Sequence, residues 1–345
     1  MKLDEILSLE SKSLIIAEIA QNHDGSLGMA HAYIDACADV GVNAIKFQTH
    51  IASEESSFDD EFRVNFSYQD KSRYEYWKRM EFTKKEWLEL KKHADEKKLL
   101  FLSTPFSLEA VKLLKDIGVE GWKIGSGETS SNGILTSLLK LEMPMIISTG
   151  MSTWAEIDKL ITLLKNEKSN FCLMQCTSKY PTDLAEVGLN ILQDFKKKYN
   201  CRVGLSDHSG SISPSLAALA SGFNIIEVHA TIDRRMFGPD ISSSLTLEEI
   251  ESIVSFSKDL EIHIKEIREI EREITLFHAK AAQDMIKGID INLIGFHGHT
   301  IFHNPKEKIS KQIGDAKLLS QLTNKTIVFN FREKDIKNGG EGAPL

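Results

Sequence analysis

Between Leu14 and Leu260, eight short apolar runs of strand length alternate with stretches of helical spacing, and nearly every run ends in a charged or hydroxyl side chain. The runs are LIIAEIA (Leu14 to Ala20), NAIKFQT (Asn43 to Thr49), and those at Leu99 to Ser103, Gly121 to Gly125, Pro144 to Ser148, Asn170 to Gln175, Arg202 to Ser206 and Asn224 to His229. Their cores are continuously apolar, as parallel strands covered on both faces require. The pattern predicts an α/β fold, a closed (β/α)8 TIM barrel with a C-terminal α/β appendage. The competing architecture is an open doubly wound sheet, but eight successive units favour closure and no GxGxxG follows the first run. In such a barrel the chemistry lies at the strand C-termini.

A barrel takes roughly 250 residues, and the chain has 345. Its net charge of -8 argues against a nucleic-acid partner. The stretch from Met1 to Ser13 is acidic and has no secretory-signal pattern, and no run approaches the roughly 20 apolar residues that span a bilayer, so no membrane partner is expected and a cytoplasmic location follows by default. Cys37, Cys172, Cys176 and Cys201 fit no zinc spacing and read as reduced core thiols, with Cys172 and Cys176 on one strand face by parity.

The barrel is expected over residues 1–260. Within it, a helix from Leu27 to Val40 follows the first strand, and an excursion from Ile51 to Met80 precedes a helix that Thr83 and Glu86 open with a capping box. A loop of that length after strand two is expected to be functional. After Leu260 the rhythm breaks into EIHIKEIREIEREI, whose Ile264, Ile267, Ile270 and Ile274 predict a connecting helix over 261–276. Residues 277–345 carry two further strand-like runs, DINLIGFHGHTIFH and NKTIVFNF, and form a separate segment. His297, His299 and His303 in that segment have a metal-like spacing, although a structural role is the more economical reading.

Glu18 ends the first strand, Lys46 and Gln48 the second, Lys123 the fourth with Ser126 and Glu128 beyond it, and Ser148 the fifth. Two inward lysines are costly to bury unpaired, so an anionic ligand or Glu18 and Glu128 must compensate them. A lysine–carboxylate pair closing a structural layer, or a Schiff-base lysine, would use the same positions. His208 and His229 end neighbouring strands seven and eight, with Asp207, Glu227 and Asp240 near in sequence, which suits a divalent metal. CTSKYP adds hydroxyl groups and Tyr180 at the same rim.

The motifs AEIAQNHDGS, NAIKFQTH, STPFS, WKIGSGE, ISTGMS, CTSKYP, GLSDHSG and EVHATIDRRMFGPD, in that order between about Leu14 and Leu260, resemble the sialic-acid (N-acetylneuraminate) synthase family. The resemblance implies a transferase that condenses phosphoenolpyruvate with an N-acetylated hexosamine aldehyde, giving a nine-carbon 2-keto sugar acid and phosphate. It implies a divalent metal, commonly Mn2+ with Mg2+ as the alternative, on His208 and His229, and a homodimer. By the same resemblance Lys46, Lys123, Ser126, Ser148, Ser178 and Ser206 hold phosphoenolpyruvate with help from Gln48. Glu227 lies in the substrate site, Glu18, Tyr180 and Asp240 face the sugar, and Glu18 or Glu128 transfers protons. A Schiff-base aldolase and a catalytically disabled sugar-binding barrel are the alternatives.

There are two departures from the family pattern. Val228 and Ala230 stand where the family carries Lys and Phe around the second metal histidine, which predicts an altered rim at strand eight. The family's antifreeze-like C-terminal domain is not recognisable. In its place IGFHGHTIFHNP and the sequence from Lys311 to Leu345 resemble an internal stretch of anhydro-N-acetylmuramic acid kinase, over about 277–345. The kinase's opening phosphate-binding motif is missing. Asp335 would match a kinase base, yet no kinase activity is expected, and the segment reads as a fusion remnant or part of a truncated bifunctional protein.

Overall fold

The structure is a computed structural model that describes residues 2–8, 12–62, 64, 66–304 and 309–342. The chain divides into two compact units, Met1–Glu261 and Ile262–Leu345.

In the first unit a short helix, α1 (Leu3–Ser8), precedes β1 (Leu14–Ala20), α2 (Leu27–Asp39) and β2 (Ala44–Thr49). The excursion after β2 contains α3 (Ala52–Glu55) and α4 (Arg73–Met80). Then come α5 (Lys84–Glu96), β3 (Leu100–Pro105), α6 (Leu108–Ile117), β4 (Trp122–Ile124), α7 (Asn132–Leu139), β5 (Met145–Ser148) and α8 (Trp154–Asn166). The barrel is completed by β6 (Phe171–Cys176), α9 (Leu189–Tyr199), β7 (Arg202–Asp207), α10 (Ser213–Ala220), β8 (Ile225–Thr231), the short β9 (Leu245–Thr246) and α11 (Leu247–Met285). The expected capping box is present, with Thr83 and Glu86 satisfying each other's backbone amides, and Thr153 and Glu156 repeat it on α8.

The eight main strands pair in the order β3-β2-β1-β8-β7-β6-β5-β4, all parallel, and β9 adds to β8. The ladder is interrupted between β3 and β4. There the amide of Phe101 donates to the Glu120 carboxylate, 3.2 Å away, a side chain taking the place of a neighbouring strand. The predicted TIM barrel is therefore observed, nearly closed.

Parity sorts the side chains. Ile15, Ala17, Ile45, Phe47, Phe101, Leu173, Val228 and Ala230 point outward into one continuous core beneath the helices. Leu14, Ile16, Ala44, Leu100, Leu102, Ile146, Cys172, Met174 and Ile225 fill the interior, and Leu3, Ile6 and Leu7 of α1 join them. The acidic N-terminal stretch thus includes an amphipathic plug for the barrel floor. Above this apolar layer the same inward face continues as Glu18, Lys46, Lys123, Ser148, Ser206 and Glu227, so the strand register alone raises the polar groups to the C-terminal mouth.

The connecting helix predicted over 261–276 is instead the middle of α11, which runs unbroken from Leu247 to Met285 because no Gly or Pro interrupts it. Ile264, Ile267 and Ile270 are 40 to 48% exposed along it. In the second unit, β10 (Leu293–Gly295) pairs in parallel with β13 (Thr326–Val328), and β11 (His299–Asn304) pairs antiparallel with β12 (Ile309–Ile313). Helix α12 (Ala316–Thr323) is capped by Asp315, and α13 (Phe331–Lys337) follows β13. Ala279, Phe296, Ala316 and Leu319 form a small core. His297, His299 and His303 are exposed, and no group of three or more metal-ligating side chains occurs among the described residues. Asp335 accepts the Gly342 amide at 2.8 Å.

Candidate active site

The mouth of the barrel holds a cavity of about 280 Å³. Of the site residues expected from the sequence, all but Asp207 and Asp240 line it: Glu18, Lys46, Gln48, Lys123, Ser126, Glu128, Ser148, Ser178, Tyr180, Ser206, His208, Glu227 and His229. Asp240 lines a second cavity, of about 510 Å³, with Gln21, Phe66, Arg73, Tyr76 and Trp77, and Tyr180 borders both.

At the floor two ammonium groups share carboxylates. Lys46 Nζ contacts Glu18 and lies 3.7 Å from Glu227 Oε1. Lys123 Nζ is 3.3 Å from the same Glu227 oxygen and donates to Ser148 Oγ at 2.8 Å. Ser206 Oγ donates to Glu227 Oε1 at 3.0 Å, and Glu18 accepts the Ala20 amide at 2.7 Å. Burial works against ionising Glu227, but Lys123, Lys46 and Ser206 hold it below the usual carboxylate range. Burial pushes Lys46 down to about 7, with Glu227 opposing and Lys123 reinforcing the shift.

At the rim the rings of His208 and His229 are 5.2 Å apart. His208 Nδ1 donates to the Thr177 carbonyl at 3.0 Å, which turns Nε2 toward the cavity, where the Tyr180 hydroxyl meets it at 3.0 Å. His229 Nδ1 is buried without a hydrogen bond, 3.8 Å from Asp240 Oδ2. Burial, then the neighbouring positive groups, holds His229 well below the usual histidine range. Burial pushes Asp240 up to about 6, and burial with the nearby Glu55 raises half-buried Glu128.

The arrangement can bind a small polyanion on the lysines and serines while two imidazoles face it. Residues 33–269 match the sequence model of the NeuB family. The chain belongs to the NeuB family. It is 35% identical over 286 residues to the N,N'-diacetyllegionaminic acid synthase of Campylobacter jejuni, covering 81% of this chain and 83% of that protein. The crystal structure of N-acetylneuraminic acid (sialic acid) synthetase from Leptospira borgpetersenii superposes with a TM-score of 0.66 at 34% identity, over 74% of this chain and 86% of that one. The family implied by the strand-end motifs is the one found.

This NeuB-family chain carries a second similarity. Residues 244–345 match the anhydro-N-acetylmuramic acid kinase model, and 90 residues are 61% identical to that kinase from Pelagibacter ubique, covering 26% of this chain and 24% of the kinase. The similarity starts at 244 rather than 277, so the two matches overlap at 244–269, largely within α11.

Two readings are corrected by the geometry. Val228 and Ala230 are on the outward face of β8, buried under the helices, so their departure from the family pattern does not alter the cavity lining, which β8 supplies through Glu227 and His229. Cys172 is a core thiol as expected. Cys176 is not merely core: it lines the cavity with Sγ 3.8 Å from His208 Nδ1 and 3.5 Å from Ser126 Oγ. The sequence reading also passed over Phe106, Gln21, His50 and Glu55. Parity offered the signal for His50, two positions beyond inward-facing Gln48, whereas Glu55 is brought back by the fold of the excursion.

Proposed function

We propose that this NeuB-family barrel joins phosphoenolpyruvate to the open-chain aldehyde of an N-acetylated amino sugar, forming a C–C bond and giving a nine-carbon 2-keto sugar acid and phosphate. The observation that carries the reading is the buried Lys46–Glu227–Lys123 cluster, set in one cavity with His208 and His229.

Two lysines against Glu18 and Glu227 leave the floor neutral overall, so a polyanionic substrate needs further positive charge. His208 and His229 fit a cation: one nitrogen is oriented by the Thr177 carbonyl, and His229 is held neutral with an unpartnered nitrogen. A divalent ion held there, manganese or alternatively magnesium, would supply Lewis-acid polarisation and the missing charge.

Lys46 and Lys123 bind the carboxylate and phosphate, and Ser126, Ser148, Ser178 and Ser206 donate hydroxyl hydrogen bonds to their oxygens. Tyr180 and Asp240, at the junction of the two cavities, face the sugar. C3 of phosphoenolpyruvate attacks the aldehyde carbon, water adds to C2, and the C2–O bond breaks to release phosphate. Of the two carboxyl candidates, Glu128 suits proton transfer, because burial raises it, whereas Glu18 is engaged by Lys46 and the Ala20 amide. Four unpaired thiols fit a reducing compartment, the cytoplasm. We assign no phosphotransfer to residues 262–345, because the similarity to the kinase covers 24% of that protein.

The test is phosphate release from phosphoenolpyruvate with a panel of N-acetylated hexosamines and manganese, with product mass measured. The His208→Ala protein should lose turnover. No release with any sugar would refute the assignment, and borohydride trapping of substrate on Lys46 or Lys123 would favour a Schiff-base aldolase instead.

A further inference from the structure

Immediately beyond the strand that carries Lys46 and Gln48, the ring of His50 is clamped between two aromatic planes. Trp77 of α4 stacks on one face at 3.8 Å and 15°, and Phe106 on the other at 4.3 Å and 10°. His50 is 7% exposed. Its Nδ1 is 2.7 Å from Glu55 Oε2, and Glu55 is itself fixed by the Ile51 amide at 2.7 Å through its other oxygen. A carboxylate acceptor places a proton on Nδ1 and turns Nε2 toward Gln21 and Gln48. The ring's Nε2 lies 3.0 Å from Gln21 Nε2 and 3.1 Å from Gln48 Oε1, and Gln21 Nε2 also donates to Gln48 Oε1, so the three polar groups meet around the Gln48 oxygen. Gln48 lines the substrate cavity. With its oxygen committed to Gln21, its –NH2 is the end turned to the ligand.

From this cluster we infer that His50 and Glu55 are positioning residues: directly and through Gln21 they fix the amide orientation of Gln48, so that Gln48 presents a hydrogen-bond donor to an oxygen of the acceptor sugar. Gln48 rather than Lys46 meets the sugar because it lies two residues nearer the mouth, while Lys46 sits at the floor with the phosphoenolpyruvate groups. The stacking also has a consequence for the excursion after β2. Trp77 lines the second cavity and Phe106 the first, so His50 ties the walls of both to one ring. The inference rests on the synthase reading and adds the device that sets its acceptor recognition.

The test is a double-mutant cycle on steady-state kinetics. His50→Phe keeps an aromatic ring between Trp77 and Phe106 but removes both nitrogens, so the fold should survive, as thermal unfolding would check. It should raise KM for the acceptor sugar about tenfold, the usual scale for one oriented hydrogen bond, with KM for phosphoenolpyruvate unchanged. Glu55→Gln should move the same constant in the same direction. In a Gln48→Ala background His50→Phe should add less than about a twofold change, because its effect passes through Gln48. Equal effects of His50→Phe in both backgrounds, no effect in either, or a change confined to phosphoenolpyruvate overturns the positioning role while leaving the synthase reading intact. Absence of turnover by the unaltered protein refutes the synthase reading and this inference with it.

Discussion

Lys123 Nζ stands 3.3 Å from Glu227 Oε1 across the floor of the cavity, with both side chains at least 96% buried. Glu227 lies beside Lys46 as well, so removing it leaves Lys123 without a carboxylate partner and Lys46 with Glu18 alone. Glu227→Ala should destabilise the protein by about 3 kcal/mol in urea unfolding, the scale for breaking a buried pair. Glu227→Gln should cost less, since it keeps the Ser206 contact. Added phosphoenolpyruvate should restore the midpoint of Glu227→Ala more than it raises that of the unaltered protein, because its oxygens replace the lost carboxylate. Equal ligand shifts for both proteins would mean that the substrate does not bind at these lysines.

A second expectation concerns Asp240, which the fold puts in the neighbouring cavity yet 3.8 Å from His229 Nδ1. At that distance no hydrogen bond forms and Nδ1 stays unpartnered, so the carboxylate would act on a bound cation through its negative charge, and losing such a supporting group beside a metal site weakens affinity by about 10- to 100-fold. Asp240→Asn should therefore weaken manganese binding by that factor in a calorimetric titration. An unchanged affinity would place Asp240 with the sugar alone.

How much of this was legible in the residues follows from what each signal measures. The barrel was readable because eight apolar runs repeat with a period, and thirteen expected residues line one cavity because strand parity carries them there. Val228 and Ala230 show the cost of reading motifs without parity, since adjacent residues in a strand point to opposite faces. Gln21, Glu55 and Trp77 were beyond reach for a different reason. They converge on His50 through loop and short-helix segments, and no periodicity encodes that convergence. The interrupted ladder at β3 and β4 likewise depends on a Glu120 side chain bonding a backbone amide.

Helix α1 was missed because six residues give too short a window for periodicity, although Leu3, Ile6 and Leu7 have the spacing of one face. Since Ile6 is fully buried inside the barrel floor, Ile6→Ala should cost about 2 to 4 kcal/mol by transfer and cavity formation. The kinetic constants should stay unchanged, since the cavity is at the opposite end of the strands. A loss under 1 kcal/mol would mean that α1 packs loosely.

The clearest pH signature comes from His23, in the loop after β1. Its ring is buried against Phe82, with centroids 4.8 Å apart, and Nδ1 accepts the Gly25 amide at 3.0 Å. Burial, followed by the nearby His50 and Arg79, pushes its pKa down to about 3 from an ordinary 6.5. The unfolded chain binds a proton below pH 6.5 that the folded chain refuses until about pH 3. Stability is therefore fully present above the unfolded value and falls as pH drops through this window, by about 1.4 kcal/mol per pH unit. Other carboxylates titrate in the lower part of the range, so the discriminating quantity is a difference between proteins. His23→Asn retains an acceptor for Gly25 without the titration, and its urea-unfolding free energy should decline less steeply between pH 6 and pH 4.5, by about one proton's worth of slope. Parallel curves for the two proteins would show that His23 is protonated in the folded state, and hence that the packing against Phe82 admits water.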